Sequence, residues 1–367
     1  MRASLARLAN DNMMAGVEGH QILINFKNNN ENTVTGSERR RPTLKTIAEE
    51  MGLGITTVSR ALKDAPDIGA DTKQRVREVA ERLGYQPNRA GVRLRTGKTN
   101  VVALVLSVEE EVMGFASHLV YGLSEVLSGT PYHLIMTPHF VSGDPLAPIR
   151  YIIETGSADG VIISRTEPDD PRVRMLLQHG IPFVTHGRTD MNVAHAWHDF
   201  DNERFVVEAV ERLKQQGRRR ISVLQPPDHL TCYAHVRSGM AIALAGECRE
   251  VPLTVTTDSD IAAIRETVLA LLKSDDPPDG IVTVFGNGAI AVLSAVRETG
   301  LKIGRDIDLI CKQPLNVLQW LEPEVTAVNE DIRESGRELA ALLLAAIDGA
   351  PLETLHSLHP PQWDAAG

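Results

Sequence analysis

From Val101 onward, short apolar runs alternate with helix-length segments, and this alternation constrains the fold more than any other feature of the chain. Runs at 101–108 (VVALVLSV), 131–136 (PYHLIM), 158–164 (ADGVIIS) and 181–187 (IPFVTHG) are followed by others at 220–226 (RISVLQP), 251–257 (VPLTVTT), 279–285 (DGIVTVF) and 306–312 (DIDLICK). Strands buried on both faces read as near-continuous apolar runs, and parallel neighbours need a helical crossover between them. The pattern therefore predicts an α/β body with parallel sheets covered on both faces. Between 188 and 203 the wording WHDFDNE interrupts the rhythm, which marks a crossover near 199–203 from one lobe to a second. A last helix is expected from Asp331 to Asp348, with Leu339, Leu342, Leu343 and Ala346 on one side. The tail LHSLHPPQWDAAG reads as Pro-rich and irregular.

Ahead of the body, residues 42–98 follow a different period. Leu44, Ile47, Ala48 and Met51 recur at i, i+3, i+4 and i+7 and line one helix face. Gly52 breaks the pattern, and Leu53-Gly54 leads into a second helix over Ile55 to Leu62. Val58, Ala61 and Leu62 point inward there, leaving Ile55, Thr56, Thr57, Ser59 and Arg60 outside. Val76, Val79, Ala80 and Leu83 stripe a third helix. Two helices joined by a short Gly-containing turn match the helix-turn-helix, whose second helix enters the DNA major groove. Thr side chains can touch bases or phosphates, and Arg60 can fork onto guanine. A polar-surfaced three-helix bundle fits the same pattern.

Charge separates those readings. The full chain carries a formal −10, yet residues 38–98 hold fourteen Lys/Arg against eight Asp/Glu, whereas residues 99–367 hold 21 against 37. One basic segment on an acidic body fits nucleic-acid binding confined to that segment, because phosphate neutralisation supplies most of the affinity and the acidic remainder is repelled.

The 367 residues leave room for two packed lobes behind this segment. Cys232, Cys248 and Cys311 lack metal-ligand spacing and are odd in number, which argues for reduced thiols and a cytoplasmic setting. No apolar run reaches the ~18–20 residues of a membrane helix, and QILIN is too short for a secretory core. Residues 1–41 are Asn-rich and poor in apolar groups, so a disordered extension is expected, or a misassigned start. Arg39, Arg40 and Arg41 within it can add phosphate contacts. FGNGAIA is too weak a cluster for a dinucleotide loop, and no nucleophile elbow or metal-binding His pair is present. No enzyme, metal site or cofactor is expected. The body alone fits a two-lobed binding protein or a flavodoxin-like enzyme pair.

The wording TLKTIAEEMGLGITTVSRAL, then IGADTKQRVREVAERLGYQPN and RAGVRLRTGKT, resembles the LacI/GalR family of ligand-responsive transcription regulators over about sixty residues. The resemblance implies a headpiece over 42–98 with a hinge helix, and an effector-binding and dimerisation body over 99–367 with the periplasmic sugar-binding fold. It places operator-discriminating side chains at Ile55 and Thr56, a further base contact at Arg60, and phosphate-side or packing roles at Thr43, Lys45, Thr57, Ser59 and Tyr85. Asn88 to Arg95 corresponds to the hinge helix, with Asn88, Gly91 and Arg95 in it and Leu94 as the minor-groove wedge. Gly91 stands where the family usually has Ala, so a hinge disordered off DNA is expected.

In the body the resemblance assigns ligand contact to Arg237 and an aromatic wall to Phe115, with His186, Arg188, Lys312 and Gln313 as further hydrogen-bonding groups. Departures are evident. Gln313 stands where the family has its ligand-binding Asp, Phe285-Gly286 replaces Asn-Asp, and Gly187-Arg188 replaces Asp-Arg. The wording EEEVMGFASHLVYGLSEVL, FVTHGR, DFDNE and ICKQP resembles the branch regulating α-glucoside utilisation operons. Implied partners are a homodimer mate, a pseudo-palindromic operator and a small sugar, with repression relieved by an inducer. A non-sugar effector and a sugar-transport protein are the alternatives.

Overall fold

The structure is a computed structural model describing residues 42–85, 93, 97–107, 114–246, 248–315 and 317–363. The chain divides into two compact units between Pro87 and Asn88.

The first unit holds α1 (Leu44–Met51), α2 (Ile55–Leu62) and α3 (Ala70–Leu83). Thr43 opens α1 with a capping box: its hydroxyl accepts from the Thr46 backbone N–H while the Thr46 hydroxyl accepts from Thr43 N–H. Gly52 closes α1 at φ 65°, a left-handed conformation that glycine adopts at little steric cost. Ile47, Ala48, Val58, Ala61, Val76 and Ala80 form the small core of this unit, the inward stripe that the spacing predicts.

The second unit contains two parallel sheets. In the first lobe, β1 (Val101–Ser107), β2 (His133–His139), β3 (Gly160–Ile163), β4 (Phe183–His186), β5 (Ala196–Phe200) and β11 (His356–His359) lie in the order β11-β5-β4-β3-β1-β2. The second lobe has β6 (Arg220–Leu224), β7 (Arg249–Glu250), β8 (Gly280–Thr283), β9 (Asp308–Gln313) and β10 (Thr326–Asn329), ordered β10-β9-β8-β6-β7. Alternate side chains of one strand feed opposite layers. Val102, Leu104 and Leu106 pack towards α4 (Phe115–Leu127) and α12 (Ile332–Ile347), whereas Ala103 and Val105 pack towards α5 (Ala147–Thr155) and α6 (Pro171–Gln178). In the second lobe α7 (Asn202–Gln215) and α8 (Thr231–Ala243) cover one face, and α9 (Ile261–Leu272) and α10 (Gly286–Thr299) the other. A short α11 spans Leu318–Leu321.

The chain passes from the first sheet to the second at Asp201, between β5 and α7, and returns at Glu330–Asp331, between β10 and α12. Each passage ends on an aspartate that caps the next helix: Asp201 accepts from Arg204 N–H and Asp331 from Glu334 N–H. After β11 the chain reaches the second lobe again, where Trp363 stacks on Phe205 at 5.9 Å.

Three expectations need correction. Residues 251–257 form no strand: Val251 N–H still bonds Ile221 O, but Pro252 has no N–H to continue the ladder. The tail is not irregular, because His356–His359 pair in parallel with β5. The stretch read only as a crossover includes β5, whose buried His198 and Asp199 hide it from an apolar-run search. No helix of the described residues is long and apolar enough to cross a membrane.

Candidate functional site

In the first unit, Gly54 precedes α2 and leaves Ile55, Thr56 and Arg60 exposed while Val58 and Ala61 are buried beneath them. Ile55 is 48% exposed, so about half of its aliphatic side chain is open to a partner. Thr57 and Ser59 are half-buried. Arg60 pairs with Asp67 and Lys45 with Glu49, both pairs well exposed and so weakly held. Thr43 caps α1, and Tyr85 packs against the three-helix core, where burial raises its phenol pKa. Asn88, Gly91, Leu94 and Arg95 lie outside the described residues.

In the second unit a cavity of about 390 Å³ is lined from both lobes. Because every strand is parallel, residues that follow strand C-termini gather around it, the usual ligand position in open α/β sheets. The first lobe supplies Arg165 and Thr166 after β3, His186 to Arg188 at the end of β4, and Asp199 from β5. The second supplies Phe285 and Gly286 after β8, Lys312 to Pro314 from β9, and Glu330 after β10. Phe115 opens α4 at this end, and Cys232 and His235 face the cavity from the first turns of α8.

One wall is a stack of rings. Phe115 lies 5.7 Å from His186, which in turn lies 5.7 Å from His198 at 5° between planes. Burial lowers the His186 pKa, and it drives that of His198 down to about 2. Both His198 nitrogens are engaged by hydroxyls, Ser357 at 2.8 Å and Ser335 at 3.0 Å, so a neutral ring is satisfied there. Burial also pushes the Cys232 thiol up to about 12, which leaves it protonated and unreactive.

Arg165, Arg188 and Lys312 in the cavity wall are each matched by a carboxylate. Arg188 Nε donates to Asp199 Oδ2 at 2.8 Å, with its guanidinium 5.7 Å over the Trp197 ring. Arg165 forks onto Asp258 at 3.1 and 2.5 Å, joining the two lobes. Lys312, 3% exposed, bonds Glu330 at 2.6 Å and Asn202 Oδ1 at 3.0 Å, between the rings of Phe200 and Phe285. Gln313 accepts from Leu318 N–H at 3.3 Å.

The Gly187-Arg188 departure has a steric reason. Gly187 sits at φ 109°, and a Cβ there would lie 2.5 Å from Thr166 Oγ1. That hydroxyl donates to Arg188 O at 2.7 Å and so fixes the turn that aims Arg188 into the cavity. An aspartate does not fit.

Phe115, His186, Arg188, Lys312 and Gln313 are thus brought together, but Arg237 is not. It is absent from the cavity wall and binds Glu250 of β7 at 2.9 Å. On α8 the cavity stripe runs through Cys232 and His235, and a residue two positions beyond His235 faces about 200° away. The arginines of the cavity are Arg165 and Arg188. Sequence reasoning missed Arg165, Asp199, His235, Asp258 and Glu330 as site residues. The carboxylates at 199 and 330 carry a signal in retrospect, since each borders a lobe passage.

A helix-turn-helix unit and a two-lobed cleft on one chain define a ligand-responsive DNA-binding regulator. The HTH-type transcriptional regulator AglR of Rhizobium meliloti (strain 1021) is 32% identical over 315 residues, covering 83% of this chain and 87% of AglR. The chain belongs to the LacI family of bacterial regulatory proteins and is a DNA-binding transcriptional regulator. The model of that family matches residues 43–88, and the periplasmic binding protein-like domain matches residues 210–365. CelR of Thermobifida fusca is 30% identical over 86% of this chain and 94% of its own. A solved CelR–cellobiose complex is 27% identical with TM-score 0.61, covering 88% of this chain and 98% of that one. A lac repressor dimer bound to operator shares the fold at TM-score 0.76 and 19% identity.

Proposed function

We propose that this regulator represses a carbohydrate-utilisation operon and that a small neutral sugar, an α-glucoside by its closest wording, enters the cleft and releases it from DNA. The observation that carries the reading is the charge matching: Arg165, Arg188 and Lys312 are each paired with a carboxylate, so the cavity holds no surplus cation for a phosphate or carboxylate ligand. A volume of about 390 Å³ lies within the ~300–1,000 Å³ of small-molecule pockets, and the Phe115 and Phe285 rings offer apolar faces for sugar C–H groups. The cellobiose bound by CelR supports a disaccharide-sized ligand.

The protein works in the cytoplasm as a dimer, each headpiece taking one half of a pseudo-palindromic operator through Ile55, Thr56 and Arg60. The effector shifts operator affinity by the difference of its own affinity for two lobe arrangements, and a coupling of ~1–3 kcal/mol corresponds to about 5- to 150-fold. Thermal-shift titration of the full chain with neutral mono- and disaccharides, sugar phosphates and nucleosides tests the assignment. A neutral sugar at 100 times its Kd adds about 2.7 kcal/mol of stability. If only the charged or nucleoside ligands raise Tm, the sugar assignment is wrong.

A further inference from the structure

We infer that Glu330 is the effector's specificity determinant, a carboxylate that accepts a hydroxyl from the sugar and turns away anionic ligands; the inference rests on the sugar reading above. It comes from accounting for every carboxylate on the cavity wall. Asp199 is used up, Oδ2 by Arg188 and Oδ1 by the Phe200 backbone N–H at 2.9 Å. Both oxygens of Asp258 are taken by Arg165. Asp260 is exposed and caps α9 through Ala262 N–H at 2.8 Å.

Glu330 differs from these. It is 9% exposed, and its Oε2 is held by Lys312 at 2.6 Å. Its side chain makes no other hydrogen bond among the described residues, and Oε1 is not among the sealed polar atoms. The cavity that Glu330 lines is where that oxygen meets a ligand. Once a ligand shields this oxygen from water, leaving it without a donor is costly, so a hydroxyl that supplies one is bound selectively. The same oxygen repels phosphate or carboxylate groups.

Lys312 is built to hold the acceptor in place. Phe200 and Phe285 enclose its ammonium at 4.5 and 5.0 Å, and Asn202 takes a second N–H. The carboxylate is therefore pinned by one oxygen, with the other left to the ligand. Glu330 also sits on the second lobe passage, and Asn202 begins the helix after the first, so ligand contact at this pair acts where the lobes are joined.

The test uses the full chain with glucose, maltose, sucrose, melibiose and cellobiose as probes, measured by calorimetry. For whichever sugar binds wild type, Glu330→Gln turns the accepting oxygen into an N–H donor and is expected to weaken binding by about 10- to 150-fold. Single-deoxy analogues of that sugar on the wild-type protein give a readout that needs no variant. Removal of one particular hydroxyl should cost at least about tenfold, and that cost should shrink towards none in Glu330→Gln. A sugar that binds Glu330→Gln as tightly as wild type, or a deoxy series that stays within threefold of its parent throughout, overturns the inference and leaves the sugar reading standing. If wild type binds none of the five sugars, both fall together.

Discussion

Arg165 of the first lobe and Asp258 of the second meet in a forked ion pair across the cleft, with contacts of 3.1 and 2.5 Å. Arg165 adopts a left-handed backbone at φ 54°, uncommon for a side chain with a Cβ. Its carbonyl is anchored by the Arg172 guanidinium at 2.8 Å, and Arg172 is itself buried against Asp170. The neighbouring Thr166 carbonyl accepts from the Thr231 backbone N–H at 2.9 Å and from its hydroxyl at 3.1 Å, a second tie between lobes. The pair thus clasps the cleft. A pair with side chains 18% and 28% exposed contributes about 1 kcal/mol, the upper end for ion pairs that solvent reaches. A double-mutant cycle of Arg165→Ala and Asp258→Ala on thermal stability should give a coupling of that size. Additive single effects would show that the two lobes are not held together here.

The α4–α12 crossing tolerates no side chain at its centre. A Cβ on Gly122 would fall 1.9 Å from Arg333 O, and one on Gly336 2.5 Å from Leu119 O. The ion pairs of Arg333 and Arg337 with Glu125 flank this contact and hold the Glu125 carboxyl down at about 2. Gly122→Ala should destabilise the body by ~1–3 kcal/mol, the usual cost of overpacking. Differential scanning calorimetry should show a lower Tm, whereas an unchanged Tm would mean the helices can part freely.

Stability should fall with acid before most carboxylates titrate. His198 has a folded-state pKa of about 2, set chiefly by burial, against 6.5 when unfolded. Its contribution is therefore complete above pH 6.5 and is lost progressively as pH drops towards 2, because the unfolded state takes up the proton first. At pH 5 the loss is about 2 kcal/mol from this group alone. His186, His195 and His235 are shifted in the same direction, again chiefly by burial. Tm measured between pH 7.5 and 5 should fall, and His198→Asn should flatten the slope. A flat wild-type profile contradicts the buried neutral ring.

On the headpiece, base and phosphate contacts separate by their response to sequence and salt. Arg60→Ala should cost ~1–3 kcal/mol on the specific operator and less on random DNA. Lys45→Ala should weaken both alike and reduce the salt slope of binding by about 1. If Arg60→Ala lowers both affinities equally in gel-shift titrations, Arg60 is a phosphate contact, not a base reader.

The three helices over residues 44–83 were legible because they are short, amphipathic and punctuated by glycine, so Ile47, Val58 and Val76 announce their own burial. Strands rich in Val, Ile and Leu were equally plain. Strand β5 was not, since Trp197, His198 and Asp199 satisfy a buried strand with ring stacking and hydroxyl bonds, which leave no apolar run. The same holds for the cavity. Phe115, His186, Arg188, Lys312 and Gln313 were implied by the family resemblance, and all five lie at strand or helix ends facing the cavity. Arg237 could not be excluded, because two positions on a helix decide which way a side chain faces. Partners such as Arg165–Asp258 are 93 residues apart and meet only once both lobes are folded.

The most direct test is operator affinity of the full-length protein with and without neutral sugars, by fluorescence anisotropy on a labelled pseudo-palindromic operator. At least one neutral mono- or disaccharide should weaken operator binding by about 5- to 150-fold, while a phosphorylated counterpart leaves it unchanged. Unaltered operator affinity with every neutral sugar, together with release by a charged or nucleoside ligand, would contradict the account.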